Sequence, residues 1–469
     1  MFTVRSSILK TLISSNFSKF KYFSTLNNEI KVCIVGGGAA GFYSSQYLLK
    51  HLPNTQIDVI EKLPVPFGLV RYGVAPDHPE VKNVINTFNK TAQHPNFKYY
   101  GNVSLGKEVT LDELRKAYNI VVLSYGSEID TLLNISGEDK KNFMSAREFV
   151  GWYNGTPGLE ELNPDLSGEE VILIGNGNVA IDVARILLTP VDILKKTDIT
   201  EYSIEALSRS KVKKVYMVGR RGPLQAAFTI AELREMLKIP NVQTIWRSAD
   251  FEGITSDTVT SLPRPKKRIT ELMLKSLQEA PKASSDDKQF LPIFFRSPIQ
   301  INGDSQVESI DFSHTVLKND RAIATNDVEK ITGQLVCRSI GYKATSVDPS
   351  INFDDKNGRV VNKHGRVLMK DSTEIDKGLY VAGWLGTGPS GVILTTMNNA
   401  FQISQTIIDD IKNGELNCDE KKPGFDYSKF RAVTWDDWKK IDEKEVECGK
   451  KLDKPREKIV SVDEMLKLI

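Results

Sequence analysis

The chain has 469 residues, 40% of them hydrophobic and 26% charged, with a formal net charge of +2. This is the balance of an ordinary soluble globular protein with room for two or three domains. It excludes a transmembrane helix, because no apolar run approaches the ~20 residues such a helix needs. It also excludes attraction of an acidic partner by net charge, so any such attraction must come from a local patch.

Residues 1–28 contain no Asp or Glu, whereas Arg5, Lys10, Lys19 and Lys21 are basic. Ile8, Leu9, Leu12, Ile13, Phe17 and Phe20 recur at helical spacing. An amphipathic, basic, Ser-containing segment of this kind predicts a mitochondrial transit peptide. Its removal would turn the net charge to −2.

Residues 31–36 (KVCIVG) read as a buried parallel strand, 41–51 as a helix and 56–61 (QIDVIE) as a second strand. Between the first strand and the helix lies Gly36-x-Gly38-x-x-Gly41. Gly36 permits the tight turn, Gly38 lets a pyrophosphate approach the backbone, and Gly41 lets helix and strand pack closely. The helix N-terminus then faces the phosphates. Glu61 closes the second strand, where a carboxylate accepts hydrogen bonds from a ribose diol. Residues 120–126 (IVVLSYG) form a further strand, and 131–165 turns polar.

The pattern then restarts, with a strand at 170–175 (EVILIG), a helix at 179–188 and a strand at 214–219 (KVYMVG). The second fingerprint is Gly175-Asn176-Gly177-Asn178-Val179-Ala180. Its second strand ends in Arg220 and Arg221 rather than in an acid. Guanidinium pairs suit a ribose 2′-phosphate. A plain ribose at the first site and a phosphorylated one at the second assign FAD and NADPH respectively.

Arg264, Lys266, Lys267 and Arg268 form the densest basic run, held extended by Pro263 and Pro265 before a helix. Residues 284–288 read as a surface loop and 378–383 (GLYVAG) as a late strand. The loop GWLGTGPSG (383–391) leads into a helix at 392–411, whose start would stabilise negative charge on a flavin ring that Trp384 covers. The tail from 418 predicts a polar wrap and a final short helix.

Cys33, Cys337, Cys418 and Cys448 form no close pair, which argues against a disulfide framework, an iron–sulfur cluster and a redox dithiol. The five histidines show no metal-ligand spacing, so no metal is expected. Two rivals are weighed. A disulfide reductase of like architecture lacks its cysteine pair; an NADPH sensor without turnover would leave a flavin spectrum unchanged on adding NADPH.

Ten stretches carry a resemblance: VPFGLVRYGVAPDHPEVKNVINTF, VVLSYG, FVGWYNG, GNGNVAIDVARILLTP, KTDITE, VGRRGPLQAAFTIAELREML, FFRSP, SIGYK, GWLGTGPSGVI and KPREK. Through them the chain resembles the mitochondrial NADPH:adrenodoxin (ferredoxin) oxidoreductase family. The resemblance implies an α/β fold of two Rossmann-like domains, the NADP domain (128–343) inserted into a discontinuous FAD domain (29–127 and 344–469).

It implies FAD contacts at Ala40, Glu61, Leu69, Leu105, Trp384, Gly391, Val392 and Ile393. It implies NADP contacts at Asn176, Gly177, Asn178, Val179, Arg220, Arg221, Glu232 and Gly391, and a network near the flavin formed by His78 and Asp182. NADPH would give a hydride to FAD, and the electrons would pass singly to an acidic two-iron, two-sulfur ferredoxin docking at Arg264 and Arg268. A monomer with no nucleic-acid partner and at most peripheral contact with the inner membrane is expected. Residues 385–388 depart from the family, whose members carry basic side chains there.

Overall fold

A computed structural model describes residues 29–279 and 287–469; the basic segment 1–28 and most of the expected loop at 284–288 lie outside them. Each fingerprint opens its own parallel sheet. The first sheet orders its parallel strands Ile375–Val381, Ile120–Leu123, Ile30–Val35, Thr55–Glu61 and Phe97–Gly101, with the hairpin strands Asn362–Lys363 and Arg366–Leu368 at one edge. The second runs Phe143–Ser145, Leu335–Arg338, Glu170–Ile174, Lys214–Val218, Lys288–Ile293 and Val242–Thr244, all parallel. A short antiparallel pair, Ile129–Asp130 with Tyr342–Lys343, lies at the two crossings between them.

Strand alternation assigns the cores. Val32, Ile34, Ile57 and Val59 pack with Phe42, Phe88 and Trp438 on one face of the first sheet, and Cys33, Val35, Ile60 and Leu123 pack on the other. Burying one such side chain fully stabilises the fold by about 1.5–3 kcal/mol before the entropy of ordering it. In each sheet the fingerprint strand has on one side the strand that follows its helix and on the other a strand the chain reaches only later. The crevice for a ligand opens at such a reversal of strand order, beyond the carboxyl ends of the strands.

Several expectations are corrected. The polar stretch 131–165 contains the buried helix Ala146–Asn154, started by a Ser145/Glu148 capping box and stopped by Gly155 at φ 74°. The expected short last helix is preceded by the longer helix Trp435–Lys451, with acids in its first turn and lysines in its last. Its inner face is only Trp438, Ile441, Glu445 and Gly449, too sparse an apolar stripe to stand out among the charges. An antiparallel meander, Arg296–Asn302, Ser309–Lys318 and Arg321–Thr332, was not anticipated. Lys288 opens a strand rather than closing a loop. Pro265 does not hold the chain extended: the helix Arg264–Gln278 already includes it in its first turn, where a missing N–H costs no hydrogen bond.

Candidate dinucleotide sites

Both glycine loops have the geometry their sequences call for. Gly36 sits at φ 111° and Gly175 at φ 130°, and a Cβ on either would lie 2.6 Å and 2.0 Å from the Ser124 and Ser339 carbonyl oxygens. A Cβ on Gly41 would stand 2.1 Å from the Gly36 oxygen, so only glycine lets the helix come this close to its strand. Around Gly38 and Gly177, by contrast, a Cβ would meet nothing within 4 Å: that space is open for a ligand.

The helices Ala39–His51 and Asn178–Leu188 begin at these two glycines with no side-chain cap. Thr110, Ser145 and Thr434 cap other helices with capping boxes. Uncapped first-turn N–H groups at a glycine loop are what a pyrophosphate would engage.

At the first loop, Glu61 Oε2 accepts the Gly37 N–H at 2.7 Å and Oε1 accepts the Leu63 N–H at 3.2 Å. Burial pushes its pKa up, while the two backbone donors pull it down. The Phe67 N–H donates to the Gly37 oxygen at 2.8 Å, and a Cβ on Gly383 would stand 2.7 Å from the Ala40 Cβ. The segments carrying Leu69 and Trp384 therefore meet at the start of the first fingerprint helix. Leu69, Val392 and Leu394 are 45%, 50% and 60% exposed, apolar surface that a flavin would cover. Gly391 lies at φ 80°, and Val392 begins the helix Ile393–Lys412, again without a side-chain cap.

Trp384 Nε1–H donates to the Ser390 oxygen at 3.1 Å, and its ring stacks on Tyr342 with centroids 6.2 Å apart. Ala40 is buried at the helix start, and Leu105 is buried with Val35 and Ile60 on the opposite side of the sheet. These residues fit FAD.

Glu61→Gln leaves the shape unchanged but turns an amide NH2 toward a backbone N–H. We expect FAD to bind about tenfold more weakly, a loss of ~1.4 kcal/mol, read by flavin release on dilution of the purified holoprotein. Unchanged release would make Glu61 a structural acceptor alone.

The second loop carries positive charge where the first carries Glu61. A Cβ on Gly219 would lie 2.9 Å from Asn176 Nδ2, so the turn bearing Arg220 and Arg221 abuts the second fingerprint. Neither arginine makes an ion pair among the described residues. The Ala227 N–H donates to the Asn176 oxygen at 3.1 Å and the Thr229 N–H to Asn178 Oδ1 at 2.8 Å, laying the segment that leads to Glu232 across the same loop. Val179 packs against the core of this half, and Ala180 is fully buried in it. These residues fit NADPH.

Between the two loops lies a cluster that sequence reading gave only in part. Arg185, 2% exposed, projects from the second fingerprint helix and pairs with Asp77 Oδ2 at 2.8 Å, Glu232 Oε2 at 2.5 Å and Asp182 Oδ1 at 3.0 Å. His78 Nε2 contacts Glu235 Oε2 at 2.5 Å. Polar atoms of His78, Asp182 and Glu232 lie within 4.8 Å of one another.

Asp182 Oδ1 is buried and has no hydrogen bond among the described residues, despite the nearby guanidinium. Burial raises the pKa values of Tyr153 and Tyr342, and the nearby Asp182 charge adds to it. Arg185 could have been suspected from sequence, since an arginine on the apolar face of a helix needs a buried partner. Tyr342 gave no such signal.

Burial pushes the Asp182 carboxyl up to about 7, against the pull of Arg185. A carboxyl whose folded pKa exceeds its unfolded value stabilises the fold at low pH and loses that stabilisation as pH rises through the folded pKa. The Tm advantage of Asp182→Asn over the parent should therefore widen from pH 5 to pH 8. A constant difference across that range would show that Asp182 ionises as an exposed carboxylate does.

Residues 34–100 match the family described as an NAD(P)-binding Rossmann-like domain. The chain is 57% identical over 463 residues to "NADPH:adrenodoxin oxidoreductase, mitochondrial" of Drosophila melanogaster, covering 98% of each. It is 46% identical over 468 residues to the Homo sapiens protein of the same name, covering 96% of this chain and 94% of that one. Among solved structures, "Mycobacterium tuberculosis FprA in complex with NADPH" superposes with a TM-score of 0.87 at 36% identity, covering 94% of this chain and 99% of that one.

Proposed function

The chain belongs to the NADPH:adrenodoxin oxidoreductase family, and from that premise we propose that it takes a hydride from NADPH onto FAD and passes the electrons singly to an adrenodoxin-type two-iron, two-sulfur ferredoxin in the mitochondrion. One observation carries the reading. Two like glycine loops open two like sheets, with a carboxylate beside one and, beside the other, two guanidiniums that make no ion pair among the described residues.

Bound FAD supplies the redox chemistry, accepting two electrons as a hydride and releasing them one at a time. The protein's own residues do the rest. Glu61 and the Ala39–His51 helix start hold ribose and pyrophosphate, and Leu69, Val392 and Trp384 cover ring surface and exclude water. Arg220 and Arg221 bind the 2′-phosphate. Gly391, Val392 and Ile393 bring a positive helix end to the ring system. His78 and Asp182, around Arg185, hold charge and proton at the junction of the two sites.

The first sheet with its C-terminal strands is read as the FAD domain (29–127 and 344–469) and the second sheet as the NADP domain (128–343). Segment 1–28 is read as the import address. A matrix monomer, peripheral to the inner membrane at most, is the state proposed; no described helix is long and apolar enough to cross a membrane.

The test is direct. NADPH added to the purified holoprotein should bleach the flavin spectrum, and cytochrome c reduction should depend on an added mitochondrial ferredoxin. An unchanged spectrum would favour a sensor, and reduction indifferent to ferredoxin would remove the partner.

A further inference from the structure

Residues 196–201 (KTDITE) and 454–458 (KPREK) belong to neither dinucleotide site, yet the fold brings them together. After the helix Trp435–Lys451 the chain doubles back as a strap along that helix. The Lys454 N–H donates to the Gly449 oxygen at 3.0 Å and the Glu457 N–H to the Glu445 oxygen at 3.0 Å. A Cβ on Gly449 would stand 2.3 Å from the Arg456 Cα, so the strap can lie this close only over glycine. Glu445, wholly buried, ties the strap down: its carboxylate accepts the Ile459 N–H at 3.0 Å, Arg456 Nη1 at 3.1 Å and Arg71 Nη2 at 2.5 Å. Arg71 stands two residues beyond Leu69, on the side of the molecule that carries the first fingerprint.

The other side of the strap grips the half that carries the second. Lys454 Nζ donates to the Ile199 oxygen at 2.6 Å, and Lys458 Nζ donates to the Asp198 oxygen at 2.8 Å and lies 3.0 Å from Asp198 Oδ2. The Glu201 N–H donates to Glu457 Oε1 at 3.1 Å. Lys82, from the first half, reaches the Asp198 carboxylate at 2.6 and 2.8 Å. Both strap lysines are 1% exposed. Beside them, Asn154 Nδ2 donates to the Tyr72 and Val74 oxygens at 3.1 and 3.2 Å.

We propose that Lys454 and Lys458 are positioning residues for hydride transfer, through which the C-terminal strap fixes the NADPH-holding half against the FAD-holding half. The proposal rests on the reading given under Proposed function. Stability alone does not account for the arrangement. Asp198 is one carboxylate facing two ammonium groups, and burial with the second lysine pushes Lys458 down to about 7. Lys82 would still neutralise Asp198 without it, so removing Lys458 does not leave a buried carboxylate unpaired, the case in which breaking a buried ion pair is strongly destabilising. Positioning, on the other hand, is stringent: a displacement of ~1 Å between reacting groups costs on the order of 100-fold in rate.

The test uses the full-length, FAD-bound protein carrying Lys458→Met or Lys454→Met. Three quantities are read: the rate of flavin bleaching at saturating NADPH, the Kd for NADP+, and hydrogen exchange at the Thr200, Glu201 and Ile459 amides. The strap predicts at least tenfold slower bleaching, NADP+ affinity within twofold of the parent, and at least tenfold faster exchange at those amides. Parental bleaching rates in a variant that retains FAD would overturn the proposal. So would failure of both variants to retain FAD or bind NADP+, which would make the strap a folding element. If the parent itself is not bleached by NADPH, it is the functional reading that fails, a result the variants cannot mimic.

Discussion

Replacing Arg220 and Arg221 together by alanine should lower kcat/KM for NADPH by about 100-fold to 10,000-fold and leave NADH use nearly unchanged. A hydrogen bond to a charged group contributes roughly 1.5–3 kcal/mol, and two guanidiniums on one phosphate together supply about twice that, at ~1.4 kcal/mol for each factor of ten. The loss should fall on the phosphate alone because the turn does not depend on these side chains for its shape. Thr315 Oγ1–H donates to the Arg220 oxygen at 2.7 Å, and the Phe295 N–H donates to the Arg221 oxygen at 3.3 Å. Both anchors come from the meander and its approach, and both survive truncation to alanine. Steady-state kinetics with the two nicotinamide cofactors decide the matter. A fall shared equally by NADPH and NADH would mean that the arginines support the domain rather than read the phosphate.

What the chain revealed before folding was what short segments encode. Each glycine fingerprint sits between a strand and a helix within ~15 residues, and the charge that answers it ends the next strand. Turn, helix start and ribose partner are thus all local. The meander could not be read this way, since its first strand is interrupted by Pro298 and its last runs through a polar stretch, Thr325–Lys330, in which only Val328 is apolar. Pairing between its strands supplies what the pattern lacks. The sequence names no partner for Arg185, because Asp77 lies more than a hundred residues earlier. The strap is the extreme case. KTDITE and KPREK carry no local sign of pairing, and only tertiary contact over about 250 residues of chain buries Lys454 and Lys458 against Ile199 and Asp198. Among the four bases of the run beginning at Arg264, the sequence could not say which face outward. Lys266 turns in, its Nζ donating to the Ala226 oxygen close to Arg221, and Lys267 lies 4.0 Å from Glu271.

That leaves Arg264 and Arg268, both exposed and one helical turn apart at the start of the helix Arg264–Gln278. Arg264, in a first turn with no acid, works against the helix dipole by roughly 0.3–1 kcal/mol, an effect that fades by Arg268 one turn on. Its placement is therefore a cost to the helix, and the exposed pair suits an acidic partner instead. Charge reversal, Arg264→Glu with Arg268→Glu, should raise the ferredoxin concentration needed for half-maximal cytochrome c reduction at least about tenfold. The effect should lie mainly in association rate, because exposed charges at an interface steer encounter more than they hold the complex. Its salt dependence should flatten accordingly, since steering of this kind is screened beyond ~8 Å at physiological ionic strength. NADPH reduction of ferricyanide, which needs no docking surface, should keep its parental rate. The Tm should hold or rise, because a glutamate at the helix start favours the dipole that Arg264 opposes. If ferricyanide and cytochrome c reduction fell together, or if the Tm dropped, the patch would be serving the second dinucleotide loop through its neighbour Lys266, and the ferredoxin would dock elsewhere.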